Sequence, residues 1–269
     1  TVAFRVLAIQ RRENDLVGAS FGRGFWILDD YAPLREIDAD KLEEPAALFS
    51  TRRAWWYIER QPLGREGKAV QGDGYYVAPN PPDGAVFTYY LKDGLKSKAE
   101  QRQEREKPLR EEGEDVSVPD WETLEAERRE PEPEILLTVR DSDGNVVRRV
   151  DGPTGAGIHR VNWDLRFASK RAIGAGGSFF SDNDSGFLAA PGSYSVTLSK
   201  QVDGETTELA GPREFEVKRL REGALDGAPP EQTVAFWKRI ADLQRSTSAA
   251  DATLESARER IDNLRTALG

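Results

Sequence analysis

The feature that most constrains this chain is a pair of strictly alternating stretches. In His159-Arg160-Val161-Asn162-Trp163, the odd positions carry His159, Val161 and Trp163, and the even ones carry Arg160 and Asn162. Further on, Tyr194, Val196 and Leu198 alternate with Ser193, Ser195, Thr197 and Ser199. A period of two with one polar face marks a half-buried strand. Each such strand needs its apolar face covered, so a second sheet must exist. The Gly- and Ser-rich stretch between them reads as a long loop, and Pro191-Gly192 is a turn signal.

The rest of the chain fits around that pair. In residues 1–37, Val6–Ile9, Leu16–Ser20 and Phe25–Leu28 are short strand candidates separated by polar and Gly turns. Three strands are too few for an independent domain of this kind, so they are expected to belong to something larger. Residues 38–74 read as a linker with some helix and apolar patches. Residues 75–218 hold the sandwich, opened by the aromatic and β-branched strand Ala85–Leu91. Ile135–Val139 and Val146–Val150 flank Asp141-Ser142-Asp143-Gly144-Asn145, a hairpin with Asp-Gly at its tip.

Two helical regions interrupt or follow this β pattern. Residues 93–133 are an insertion rich in Glu, Lys, Arg and Gln, strong helix formers. Its second helix is expected to start near Pro119-Asp120 and to be anchored by Trp121 and Leu124. A run of charge of this kind reads as a solvated face. Residues 219–269 are expected to form a helical hairpin, with the loop at Ser246–Ala250. Leu254, Ala257, Ile261, Leu264 and Leu268, spaced 3, 4, 3 and 4, form a seam on its second arm. The fold class expected is therefore mainly β: a sandwich with extra N-terminal strands, a charged helical insertion and a C-terminal helical hairpin.

Composition excludes several chemistries. The chain has no Cys and one His, so thiolate nucleophiles, disulfides and multi-His or Cys metal sites within it are ruled out. A formal net charge of -9 argues against nucleic acid or an anionic membrane surface as partner. No apolar run is long enough to span a bilayer. The chain begins Thr1-Val2-Ala3-Phe4, already within a strand-like pattern, and is expected to be a fragment with any targeting signal upstream.

Two stretches resemble known families. Trp163-Asp164-Leu165-Arg166, a loop, then Pro191-Gly192-Ser193-Tyr194 resembles a motif of immunoglobulin-like domains, including that of the flagellar hook-capping protein. Leu7–Val17, then Phe21-Gly22-Arg23-Gly24-Phe25-Trp26-Ile27-Leu28-Asp29-Asp30, is similar to the closing segment of bacterial proteins with sialidase-type (BNR, or Asp-box) repeats. Those proteins are glycosyl hydrolase-like and have sortilin-like β-propellers. No complete Asp-box occurs here; Asp182–Phe187 is a partial echo. The resemblance implies final propeller strands at 1–37, an immunoglobulin-like sandwich, an upstream propeller domain as partner and an extracytoplasmic location. It also implies a C-terminal accessory region, structural or binding carbohydrate or protein. The alternatives are part of a glycoside hydrolase active site completed by the propeller, and an oligomerisation module using the C-terminal helices.

Candidate chemistry is sparse, and no catalytic residue or cofactor is assigned. Trp55, Trp56, Tyr57, Tyr75 and Tyr76 could stack on sugar rings, although aromatic residues at a domain junction more often pack. Asp182 and Asp184 are weak candidates for a hard cation, and Asp141–Asn145 lacks the twelfth-position Glu of a calcium loop because Gly152 stands there. Asp29 and Asp30 could be a carboxylate pair for glycoside hydrolysis, but neighbours on a strand point to opposite faces. His159 alternates with Val161 and Trp163, so it reads as a covered residue near a sheet end rather than a base with an oriented partner.

Overall fold

The structure is a computed structural model that describes residues 3–22, 24–58, 77–169, 185–223 and 227–268. The chain is mainly β with a long C-terminal helix, and it divides into two compact units. The first is Thr1–Asp164 with Gly192–Lys218; the second is Leu165–Pro191 with Arg219–Gly269.

The first unit is built from three sheets. At the N-terminus, β1 (Phe4–Gln10), β2 (Asp15–Ser20) and β3 (Phe25–Leu28) form an antiparallel sheet in that order. Two short helices follow, α1 (Ala32–Glu36) and α2 (Ala39–Glu43), and Asp38 caps α2 by accepting from the Lys41 N–H at 2.8 Å. Strands β4 (Ala46–Leu48), β6 (Ala85–Leu91) and β9 (Gly157–Trp163) make a second sheet, ordered β4-β6-β9. The third has the order β5-β13-β12-β7-β8, from β5 (Ala54–Trp56), β7 (Glu134–Asp141), β8 (Val146–Gly152), β12 (Gly192–Val202) and β13 (Glu205–Arg219).

The second and third sheets bury a shared aromatic core. Phe87 and Trp163 come from one sheet, Tyr194 and Phe215 from the other. Ring centroids lie 5.4 Å apart for Phe87–Phe215 and 5.2 Å for Trp163–Tyr194, both edge-on. Around them Ile135, Leu137, Val139, Val196 and Leu198 are fully buried. This is the core that the alternation of β9 and β12 demanded, and Trp163 is its largest member, 1% exposed. Gly84 sits against it: at φ +90° its missing Cβ would lie 1.9 Å from the Trp163 carbonyl oxygen, so only glycine fits.

Asp141–Asn145 forms the expected hairpin turn between β7 and β8. The Gly144 N–H donates to the Asp141 carbonyl at 3.0 Å with Gly144 at φ +82°. Within the stretch expected as a linker with some helix, α2 is that helix, the apolar patches at Ala46–Leu48 and Ala54–Trp56 form β4 and β5, and residues 59–74 lie outside the described residues. Strands of three residues carry no readable period.

The insertion folds as two helices, α3 (Lys98–Glu111) and α4 (Trp121–Arg129). Ser97 and Glu100 form a reciprocal capping box at the start of α3, and Asp120 caps α4. Of the two expected anchors, Trp121 is 78% exposed and Leu124 is half-buried. What joins the helices is polar: Arg102 forks onto Glu127 at 2.7 and 2.9 Å and also holds Glu106 at 2.9 Å. A planar guanidinium matches a carboxylate in this bidentate way, so charge does the work assigned to the indole.

The second unit contains β10 (Arg166–Ala168) and β11 (Ser185–Leu188), an antiparallel pair, and α5 (Pro230–Leu268). In place of the expected helical hairpin there is one continuous helix. Residues 246–250 do not turn; α5 runs unbroken for 39 residues. Ser246, Thr247 and Thr253 donate their hydroxyls to the carbonyls four residues back, at 2.9, 3.0 and 2.7 Å. With no Gly or Pro in the segment, polar side chains that suggest a loop can satisfy themselves inside a helix.

Candidate functional site

The most organised polar cluster lies where the N-terminal sheet meets the two-sheet body. The strand β2 begins at Asp15, β3 ends just before Asp29-Asp30, Arg52 lies in the segment leading into β5, and Trp55 lies within β5. Arg52 donates to the Glu13 carbonyl at 2.9 Å and to Asp15 Oδ1 at 3.4 Å, with Glu13 Oε2 at 3.9 Å. The Trp55 indole N–H donates to both carboxylate oxygens of Glu13 at 3.1 Å. From β9, Arg160 donates to the Asp29 carbonyl at 2.9 Å.

Asp30 is the buried member, 5% exposed, with a left-handed backbone at φ +45°. Its N–H donates to Asp15 Oδ1 at 3.0 Å, and its own Oδ1 accepts from the Ala32 N–H at 3.3 Å, at the start of α1. Burial pushes its carboxyl above the usual Asp range; the Ala32 N–H and the charges of Arg52 and Arg160 oppose that shift without cancelling it. A raised carboxyl beside arginines is the electrostatic pattern of a general acid. Here, however, one of its oxygens is engaged by the Ala32 N–H, and its neighbour Asp29 is held through the backbone. The pair stands as a strand-end clamp.

The aromatic candidates divide. Trp55 lies in the junction, with its indole N–H bonded and the Arg53 guanidinium 5.4 Å from its ring centroid. Trp56 is half-buried and Tyr57 is exposed, at the end of β5. Tyr75, Tyr76, Asp182 and Asp184 lie outside the described residues. Of the three aromatic candidates among the described residues, Trp55 has its indole N–H committed to the Glu13 carboxylate. His159 is half-buried beside Tyr89, ring centroids 5.2 Å apart, and its Nε2 bonds the Gly155 carbonyl at 2.6 Å. It pins the loop entering β9. Among the described residues, no group of three or more His, Cys, Asp or Glu is placed to hold a metal ion.

One cavity escaped the sequence reading. In the second unit, the β10–β11 pair and α5 enclose about 680 Å³, lined by Arg166, Phe187, Leu188, Trp237 and Gln244 among others. Phe187 stacks on Phe167 at 4.6 Å, and Lys238 lies 5.0 Å from the Phe167 ring centroid. Aromatic faces with a few polar groups in a volume of this order suit a small polar ligand. Its walls come from segments far apart in the chain, so no local motif announced it.

No family model, no curated protein and no solved structure matches this chain. No helix among the described residues is long and apolar enough to cross a membrane.

Proposed function

We propose that this chain is a non-catalytic accessory region of a BNR-repeat propeller protein, with a structural role or a role in binding carbohydrate or protein. The observation that carries the reading is the N-terminal sheet. The register places Leu7, Gly18 and Trp26 on one face, and Ala8, Val17 and Ile27 on the other. Both faces are apolar and open: Leu7 is 64% exposed, Phe25 79%, Trp26 54% and Ile27 60%. A sheet apolar on both faces is built to be covered on both, as the blades of a propeller are. The order β1-β2-β3 supplies three of the four strands of such a blade. The Glu13–Arg52–Trp55 cluster would then couple an upstream propeller to the two-sheet body, which we read as an immunoglobulin-like sandwich. An extracytoplasmic location belongs to the same reading.

The binding role rests on the cavity beside α5 rather than on Trp55 and its neighbours. The glycoside hydrolase alternative has less support, because Asp30 is closed off and committed to α1. The assembly alternative is favoured by one observation, the exposed apolar seam of α5. The test is a glycan and peptide array probed with this chain and with the propeller-bearing protein, with glycosidase substrates assayed in parallel. The reading expects no turnover by this chain, and glycan or peptide binding that Trp237→Ala abolishes. Turnover by this chain alone would overturn it.

A further inference from the structure

Helix α5 poses a physical problem that its own unit does not solve. It is 39 residues long, yet none of its residues is buried. Helices in water draw most of their stability from packing an apolar face, and a helix without that support is marginal. The seam that would supply it is present. From Leu254 the spacing runs forward through Ala257, Ile261, Leu264 and Leu268. Backward, it continues through Ala250, Thr247, Leu243, Ile240 and Phe236 in the same steps of three and four. That is an unbroken heptad repeat, the pattern of a coiled coil. It stands open: Leu243 is 64% exposed, Leu254 50%, Ile261 51% and Leu264 61%. The cavity beside β10–β11 uses a different stripe, Trp237, Ala241, Gln244 and Ser248, so it does not occupy the seam.

We infer that α5 pairs with α5 of a second copy of this chain as an antiparallel coiled coil, with Leu254 level with the second copy's Ala257. This deepens the assembly reading and does not depend on the propeller. Two features select the arrangement. The first is size. In that register Leu254 meets Ala257, Ile261 meets Ala250 and Leu264 meets Thr247, with Leu268 against Leu243 only at the two ends, so over the central layers each large residue faces a smaller one and the helices can approach closely. The second is charge on the flanks. The positions just after the second core residue of each heptad include Asp251 and Arg258. In antiparallel pairs these positions face their own kind, so Asp251 meets the second copy's Arg258, and the two-fold axis makes that contact twice.

The competing arrangements lack this match. A parallel pair sets Arg260 against Arg265 of the other helix, a like-charge contact. Sliding the antiparallel pair by one heptad sets Asp251 against Asp251 on the axis. Like charges across such a seam select against a pairing even where the apolar layers tolerate it. From Leu243 to Leu268 the shared length is about 39 Å at ~1.5 Å per residue. The part of α5 beside β10–β11 stays outside most of this overlap.

The experiment is sedimentation equilibrium of the intact chain, with far-UV circular dichroism to confirm that helix content is kept. The wild type is expected to dimerise at micromolar concentration. Asp251→Arg places like charges at both flanking contacts and is expected to weaken the dimer roughly tenfold, about 1.4 kcal/mol. Asp251→Arg with Arg258→Asp reverses both partners and is expected to restore the wild-type Kd. A dimer indifferent to the single change, or one that the double change does not restore, overturns the register while leaving assembly through α5 intact. A chain that remains monomeric at high micromolar concentration overturns both.

Discussion

Removing the Arg52 side chain is the sharpest structural perturbation of the proposed coupling. In the folded chain Arg52 serves the Glu13 carbonyl, the Asp15 carboxylate and the charge of Glu13 together. Its side chain is 22% exposed, and those of Glu13 and Asp15 are 14% and 19%. A fully exposed ion pair contributes under about 1 kcal/mol. Breaking a fully buried one costs about 3–5 kcal/mol, because a charge is left without a partner. The intermediate burial here, with one carbonyl also losing its donor, sets Arg52→Ala at about 2–3 kcal/mol. That loss should fall on the N-terminal sheet first, since the partners of Arg52, Glu13 and Asp15, sit between β1 and β2 and at the start of β2. Hydrogen exchange followed peptide by peptide reads this directly. Protection in Phe4–Leu28 should drop roughly 30- to 150-fold, at about 1.4 kcal/mol per factor of ten, while β7 and β12 hold theirs. Arg52→Lys should recover only part, because a point charge cannot serve carbonyl and carboxylate in one plane. Unchanged protection in β1–β3, or an equal loss across β7 and β12, would refute the cluster as the coupling element.

Three further outcomes follow from the same geometry. Gly84→Ala drives a Cβ into the Trp163 carbonyl at a positive φ and should cost upwards of about 2 kcal/mol in urea unfolding; a shift below about 0.5 kcal/mol would contradict that contact. Asp30 holds its proton more tightly folded than unfolded, so from about pH 4 upward, through its raised folded pKa, this group lowers stability as pH rises; Asp30→Asn, which tolerates the left-handed backbone, should remove that slope in Tm against pH, and an unchanged slope would show that burial is not its cause. Trp121→Ser should leave Tm unchanged within about 1 °C, given a surface effect of under ~0.5 kcal/mol, while Arg102→Ala lowers it; the reverse order would restore the indole as the anchor of α4.

Local alternation carried the central strands. β9 and β12 were legible because each has one apolar and one polar face, and the β7–β8 turn because Asp-Gly at a hairpin tip has few other uses. The elements that escaped were those set by distant partners. β4 and β5 are three residues each and are strands because β6 and β13 lie beside them. The helix pair α3–α4 is legible in its composition, but the joint expected at Trp121 and Leu124 carries an ion pair that composition does not reveal, Arg102 of α3 with Glu127 of α4. Continuous α5 was misread at Ser246–Ala250 because hydroxyls signal loops as readily as they bond back within a helix. The junction cluster joins Glu13 to Arg52 and Trp55 across roughly 40 residues, a range over which pattern reading is blind.

The most direct test of the accessory-region account is amide exchange of β1 and β3 in this chain beside the same residues in a longer chain that carries the proposed upstream propeller. The account expects the outer edge of β1 or β3 to gain strong protection there, as a fourth strand completes the blade, with β7 and β12 unchanged. Edge amides that exchange equally fast in both would contradict it.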